Sequence, residues 1–122
     1  MRNYIKRPRQ HGESDFQKAV VRFLRNQNIY CFSVPNANKV SYITGKYRRA
    51  EGTLSGVSDI IILLPRRAVF VEFKNPNGKG IQSDAQKDFQ RNVEALGFEY
   101  LIWDSWAQVE AFLKEVKFKR EI

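Results

Sequence analysis

Cysteine and histidine are nearly missing from this 122-residue chain, which has one of each. The lone Cys31 has no partner for an intrachain disulfide, which suits a reducing cytoplasm. One Cys and one His fall short of a zinc ligand set. A mechanism built on a histidine base would have only His11, in a polar stretch where it is expected to face solvent. No apolar run approaches the roughly 18 to 20 residues of a membrane span, so no membrane partner is expected. The basic N-terminal residues lead into no apolar segment, which argues against a signal peptide. A Gly-x-x-x-x-Gly-Lys phosphate loop is also missing, and the Gly-rich stretch from Asn77 to Gly80 reads as a turn.

Positive charge is plentiful. Twenty-one Lys and Arg stand against thirteen Asp and Glu, for a net charge of +8. That balance fits a polyanionic partner, of which nucleic acid is the commonest. Charge names a partner and leaves the chemistry open. The length suits one domain with its own core. Residues 1–12 carry Arg2, Lys6, Arg7 and Arg9 around Pro8 and read as a basic flexible arm, with residues 13–122 as a single folded domain.

Three helix starts share one signature: Ser14-x-x-Gln17, Ser83-x-x-Gln86 and Ser105-x-x-Gln108. Each fits a capping box, in which the Ser oxygen takes an orphan amide and the Gln reaches back. Apolar residues follow at helical spacing, and Gly97 marks the end of the second helix. If Ser14 is the cap, Glu13 lies just outside the first helix. Four β-prone runs fall between the helices: Ile29 to Val34, Ile60 to Leu64, Ala68 to Phe73, and Phe98 to Trp103. Pro65-Arg66-Arg67 joins the middle two as a tight hairpin. Both are apolar at consecutive positions, which predicts helices on both faces of the sheet. The predicted order is helix, three strands, helix, strand, helix.

Residues 35–57 form an unusually long connection with the basic cluster Lys46, Arg48 and Arg49, and it leads into Asp59. These three residues, with Lys79, Arg7 and Arg9, are the candidate nucleic-acid contacts. Tyr42, Tyr47, Trp103 and Trp106 could pack at an interface, stack on unpaired bases, or fill the core. Lys114, Lys117, Lys119 and Arg120 could touch phosphates or solvate the last helix.

The chemistry concentrates where Gly56-Val57-Ser58-Asp59 opens one apolar strand and Glu72-Phe73-Lys74 closes the next. Ionisable groups in such strands are costly unless paired. With Pro65 and Arg66 as a two-residue turn, Leu64 faces Arg67 and Asp59 falls opposite Glu72, with Lys74 on the same face. Two such carboxylates can share one ion, and hard oxygen ligands select Mg²⁺ or Mn²⁺. That ion would activate water and stabilise charge on a phosphodiester, with Lys74 beside it. A cross-strand ion pair between Lys74 and either carboxylate accounts for the same residues equally well.

These segments, in this order and spacing, resemble the VRR-NUC branch of the PD-(D/E)XK nuclease superfamily, in the standalone form that bacteriophages encode. The similarity runs from about Glu13 to Phe112. It implies an α/β fold with a restriction-endonuclease-like αβββαβ core, a mixed central sheet flanked by helices, and an extra C-terminal helix. It also implies that Asp59, Glu72 and the Phe73 carbonyl bind the metal. Glu13 would assist through a water, Lys74 would serve the attacking water, and Gln86 would lie beside the site. Ser58 stands where the family usually has Pro, which leaves the carboxylate in place. Standalone members resemble Holliday-junction resolvases, which implies a homodimer acting on branched DNA in the cytoplasm of a bacterial host. Two other functions stay open: a non-catalytic nucleic-acid-binding module on this fold, and a restriction, mobile-element or RNA nuclease.

Overall fold

Apolar residues at helical spacing fold Gly12–Asn26 into α1, burying Phe16, Val20 and Leu24. The computed structural model describes residues 12–35, 50–77 and 80–122. His11, the basic arm, Tyr42, Tyr47 and all six candidate nucleic-acid contacts (Arg7, Arg9, Lys46, Arg48, Arg49 and Lys79) lie outside the described residues. After α1 come β1 (Tyr30–Ser33), β2 (Ile60–Leu64), β3 (Arg67–Phe73), α2 (Asp84–Ala95), β4 (Glu99–Trp103) and α3 (Trp106–Phe118).

The first helix begins earlier than its sequence predicts. Ser14 and Gln17 lie inside α1 rather than capping it, and Glu13 sits on its first turn. Tertiary contact accounts for the difference. Gly12 packs so closely on the Asn75 side chain that an added Cβ would lie 2.8 Å from Oδ1. Glu13 and Asp15 also place negative charge in the first turn, where the helix dipole favours it. At α2 the box is complete: the Gln86 amide donates to Ser83 Oγ at 3.2 Å, and the Ser83 amide to Gln86 Oε1 at 2.9 Å. At α3, Gln108 Oε1 accepts from the Asp104 and Ser105 amides. Gly97, at φ 87°, follows the last residue of the α2 cap, as expected for a left-handed stop.

The four strands form one mixed sheet in the order β1-β2-β3-β4. The first two pairings are antiparallel and the third is parallel. Pro65 and Arg66 make the hairpin turn, with Arg66 at φ 60° and Leu64 paired to Arg67. Proline at the first central position and a positive φ at the second match a type II turn.

Alternation along β3 then sorts the two faces. Val69, Val71 and Phe73 are fully buried on one side. There Phe73 meets Phe16 of α1 edge-on at 5.6 Å, and Trp103 meets Phe112 of α3 at 5.4 Å. Phe70 and Glu72 face the other way, where Phe89 of α2 covers Phe70 at 5.8 Å. Helices therefore cover both faces. Tyr30 and Leu63, paired across β1 and β2 on the α2 side, remain exposed. Trp103 belongs to the core, and the partly exposed Trp106 packs edge-on against Phe16 and Phe23.

One ionic network ties the far end of the sheet together. Arg67 grips Glu99 through two nitrogens at 2.6 and 3.0 Å, and reaches Glu121 at 2.6 Å and Glu115 at 3.1 Å. Its guanidinium also lies over the Phe112 ring. Hydrogen bonding to Glu99 is the main reason the Arg67 pKa is raised. Lys119 and then Arg67 hold the Glu115 carboxyl below its ordinary value. Arg67→Met, which keeps much of the stem, should cost roughly 1–3 kcal/mol, between an exposed and a buried pair. The sign with pH is fixed for Glu115: its contribution is complete above its ordinary value of 4.5 and fades as pH falls through the lower folded value. Urea unfolding should therefore show the Arg67→Met deficit at pH 7 shrinking toward pH 3. A deficit independent of pH would mean the loss is one of packing.

Candidate active site

Extending the β2–β3 ladder one step beyond Ile60 and Val71 sets Asp59 opposite Glu72. Asp59 is fixed at both ends. Its carbonyl accepts from the Val34 amide at 3.0 Å, and its Oδ2 accepts from the Phe73 amide at 2.7 Å. The fully buried Ser58 donates its hydroxyl to the Ile60 carbonyl at 3.3 Å, a local bond that bridges Asp59.

Glu72 is only 1% exposed. Burying a carboxylate costs several kcal/mol unless it is paired and hydrogen-bonded. Its Oε1 accepts from the Tyr100 hydroxyl at 2.8 Å. Oε2 lies 3.3 Å from Lys74 Nζ, an ion-pair distance, yet among the described residues it has no hydrogen-bond partner. One oxygen is satisfied and the other is left with a charge contact alone.

Lys74 is held in turn. Its Nζ donates to Gln86 Oε1 at 3.1 Å and to the Ile81 carbonyl at 3.3 Å. Its stem runs against Gly80, where an added Cβ would come within 2.7 Å of Lys74 Cδ. Gln86 thus does two jobs at once, closing the α2 capping box and orienting the lysine. Burial, then the hydrogen bond to Glu72, pushes the Tyr100 pKa well up, so its hydroxyl stays a donor. The charge of Asp59 adds a smaller push in the same direction.

The loop before Asp59 is seated on α2. Gly56 has φ 79°, and a Cβ there would lie 2.3 Å from the Ala85 carbonyl carbon. Only glycine combines that backbone with that approach. The result is a cluster of Asp59, Glu72, Lys74 and Gln86 at one end of the hairpin, on the α2 side of the sheet. Phe73 contributes its backbone there while its ring sits in the core. Glu13 lies on the first turn of α1, next to Gly12, which packs on the Asn75 side chain just beyond the end of β3.

A solved structure described as a VRR_NUC domain protein shares this architecture, with a TM-score of 0.68 and 19% identity. The match covers 85% of this chain and 86% of that one. By sequence, no protein-family model and no curated protein matches. The chain has the VRR-NUC fold.

Within the VRR-NUC fold the hairpin end gathers residues that sequence reasoning did not single out. Tyr100 and Gln82 are the main ones: Gln82 donates to Tyr100 Oη at 3.4 Å and to Gln90 Oε1 at 2.9 Å. A signal did exist, since a tyrosine within a buried strand needs a partner for its hydroxyl. The parallel register that aims it at Glu72 is not readable locally. Among the described residues, no three His, Cys, Asp or Glu side chains cluster tightly enough to hold a metal. Two carboxylates and a backbone carbonyl, with water filling the remaining positions, nonetheless suit a hard ion such as Mg²⁺.

Two glycines separate backbone strain from close packing. Gly56 and Gly97 both have positive φ, but nothing lies within 4 Å of a Cβ built on Gly97. Gly97→Ala should cost about 1 kcal/mol from backbone conformation alone. Gly56→Ala should cost clearly more in urea unfolding, because the 51–57 loop must leave α2. Equal costs would show that Gly56 does not seat the loop.

Proposed function

We propose that this protein is an Mg²⁺- or Mn²⁺-dependent endonuclease that hydrolyses phosphodiester bonds in DNA. The observation that carries the reading is the orphaned Glu72 Oε2. Among the described residues this buried carboxylate oxygen has no hydrogen bond, beside an ammonium and on the sheet face where the register also puts Asp59. Native proteins rarely leave such groups unpaired without a reason. Asp59, Glu72 and the Phe73 carbonyl would hold the ion, with Glu13 assisting through water. The ion would supply a Lewis acid for phosphate oxygens and a more acidic bound water. Lys74, steadied by Gln86 and the Ile81 carbonyl, provides fixed positive charge for the phosphate or the attacking water. The Phe73 amide holds one Asp59 carboxylate oxygen at 2.7 Å, which fixes that side chain beside the β3 backbone next to Glu72.

Net charge supports a nucleic-acid substrate, and exposed Lys18 and Arg22 with Arg25 extend basic character along α1. Lys46, Arg48, Arg49, Lys79, Arg7 and Arg9 complete the proposed contacts. Branched DNA such as Holliday junctions, action as a homodimer and a cytoplasmic setting in a bacterial host follow from the family resemblance and belong to the same proposal. The residues ahead of α1, which begins at Gly12 rather than after it, would serve as a basic arm to the nuclease domain. A second reading has one observation in its favour: the 3.3 Å contact between Lys74 and Glu72 is itself a structural ion pair. The protein would then bind nucleic acid without cutting it.

Junction, flap, single-stranded and duplex DNA incubated in Mn²⁺ or EDTA should separate the two. Wild-type protein should cleave in Mn²⁺ alone, with a preference for four-way junctions that survives added salt. Asp59→Ala and Glu72→Gln should each lower cleavage by more than about 100-fold while DNA affinity changes little. Undiminished cleavage by either variant removes this site from consideration. No cleavage of any substrate by the wild type favours the binding module.

A further inference from the structure

Tyr100 stands one strand away from Glu72, on β4, and its hydroxyl has two neighbours. It donates to Glu72 Oε1 at 2.8 Å, and Gln82 Nε2 approaches it at 3.4 Å. Gln82 is itself anchored by donating to Gln90 Oε1 of α2 at 2.9 Å. The direction of this chain follows from its donors. A hydroxyl has one proton, and an amide donor on its oxygen leaves that proton free for the carboxylate. The ring is clamped as well, lying against Phe89 at 6.2 Å.

The consequence falls on the other oxygen of Glu72. With Oε1 engaged by Tyr100, the carboxylate cannot turn to satisfy Oε2 without giving up the one hydrogen bond it has among the described residues. Without the hydroxyl, Oε1 would become the buried orphan and the group could rotate to give Lys74 a better-aligned contact. We propose that Tyr100 is a positioning residue: its hydroxyl, set by Gln82, holds Glu72 Oε1 so that Oε2 remains available to a divalent cation shared with Asp59. This rests on the metal-dependent reading above and adds the element that orients one of its ligands. Outer-shell hydrogen bonds of this kind typically change metal affinity or activity by about 10–100-fold.

Tyr100→Phe removes the hydroxyl and keeps the ring. Mn²⁺ binding to the protein alone, followed by the loss of the free-ion EPR signal, provides a readout independent of cleavage. The expected result is an Mn²⁺ dissociation constant raised by about 10-fold or more. Cleavage at saturating Mn²⁺ should recover to within a few-fold of wild type. Gln82→Leu, at a half-buried position away from the carboxylates, should shift affinity the same way by a smaller factor. It also carries the test if Tyr100→Phe does not fold. A purely structural role would lower thermal stability and leave Mn²⁺ affinity unchanged. Wild-type affinity in Tyr100→Phe, or in Gln82→Leu where that is the variant available, overturns this proposal alone. A wild-type protein that takes up no Mn²⁺ overturns the metal reading and this proposal with it.

Discussion

Leu64 pairs with Arg67 across two turn residues, and that pairing decides which face of the sheet receives every later side chain of β3. The sheet's period of two makes the decision binary. In the observed register Val69, Val71 and Phe73 enter the core. A slip of one residue would put them on the opposite face and drive Glu72 into the apolar side. Each of the three contributes roughly 1.5–3 kcal/mol by burial, so the core alone favours the observed register by several kcal/mol. This outweighs the strain of holding Arg66 at positive φ, about 1–2 kcal/mol for a residue other than glycine. Core packing thereby places Asp59 and Glu72 on one face.

α2 then gathers further side chains around the pair of carboxylates, completing the candidate site. Its first turn receives Gly56, its Gln86 holds Lys74, and its Gln90 anchors the bond chain leading through Gln82 to Tyr100. The capping box and the candidate site share one side chain. Loss of Gln86 would therefore fray the helix and release the lysine together. Such sharing makes the site rigid, as positioned chemistry requires. It also lets a buried carboxylate oxygen remain without a hydrogen bond, since Tyr100 and Lys74 offset much of the cost.

Local features of the chain were legible in advance because their causes are local. The hairpin register follows from a two-residue turn, the stop of α2 from Gly97, and the α2 start from Ser83 and Gln86. The strands β2 and β3 could be read from their apolar runs, with only Arg67 left outside the expected span. The start of α1 was misjudged because a contact with Asn75, distant in the chain, extends the helix past Ser14. Tyr100 was missed for a related reason. A parallel pairing has no turn to set its register, so nothing near Tyr100 shows that it will meet Glu72 across β3 and β4. Gln86 could be read as a cap or as a neighbour of the proposed site, and only the packed structure shows one amide oxygen accepting from both the Ser83 amide and Lys74.

The central claim is that Asp59 and Glu72 converge on one divalent cation next to Lys74. Crystals grown in Mn²⁺ and measured for anomalous scattering at the manganese edge address it most directly. The account predicts a strong peak within coordination distance of the Asp59 and Glu72 carboxylates. A map with no peak there, and with Glu72 bound only to Tyr100 and Lys74, would contradict it.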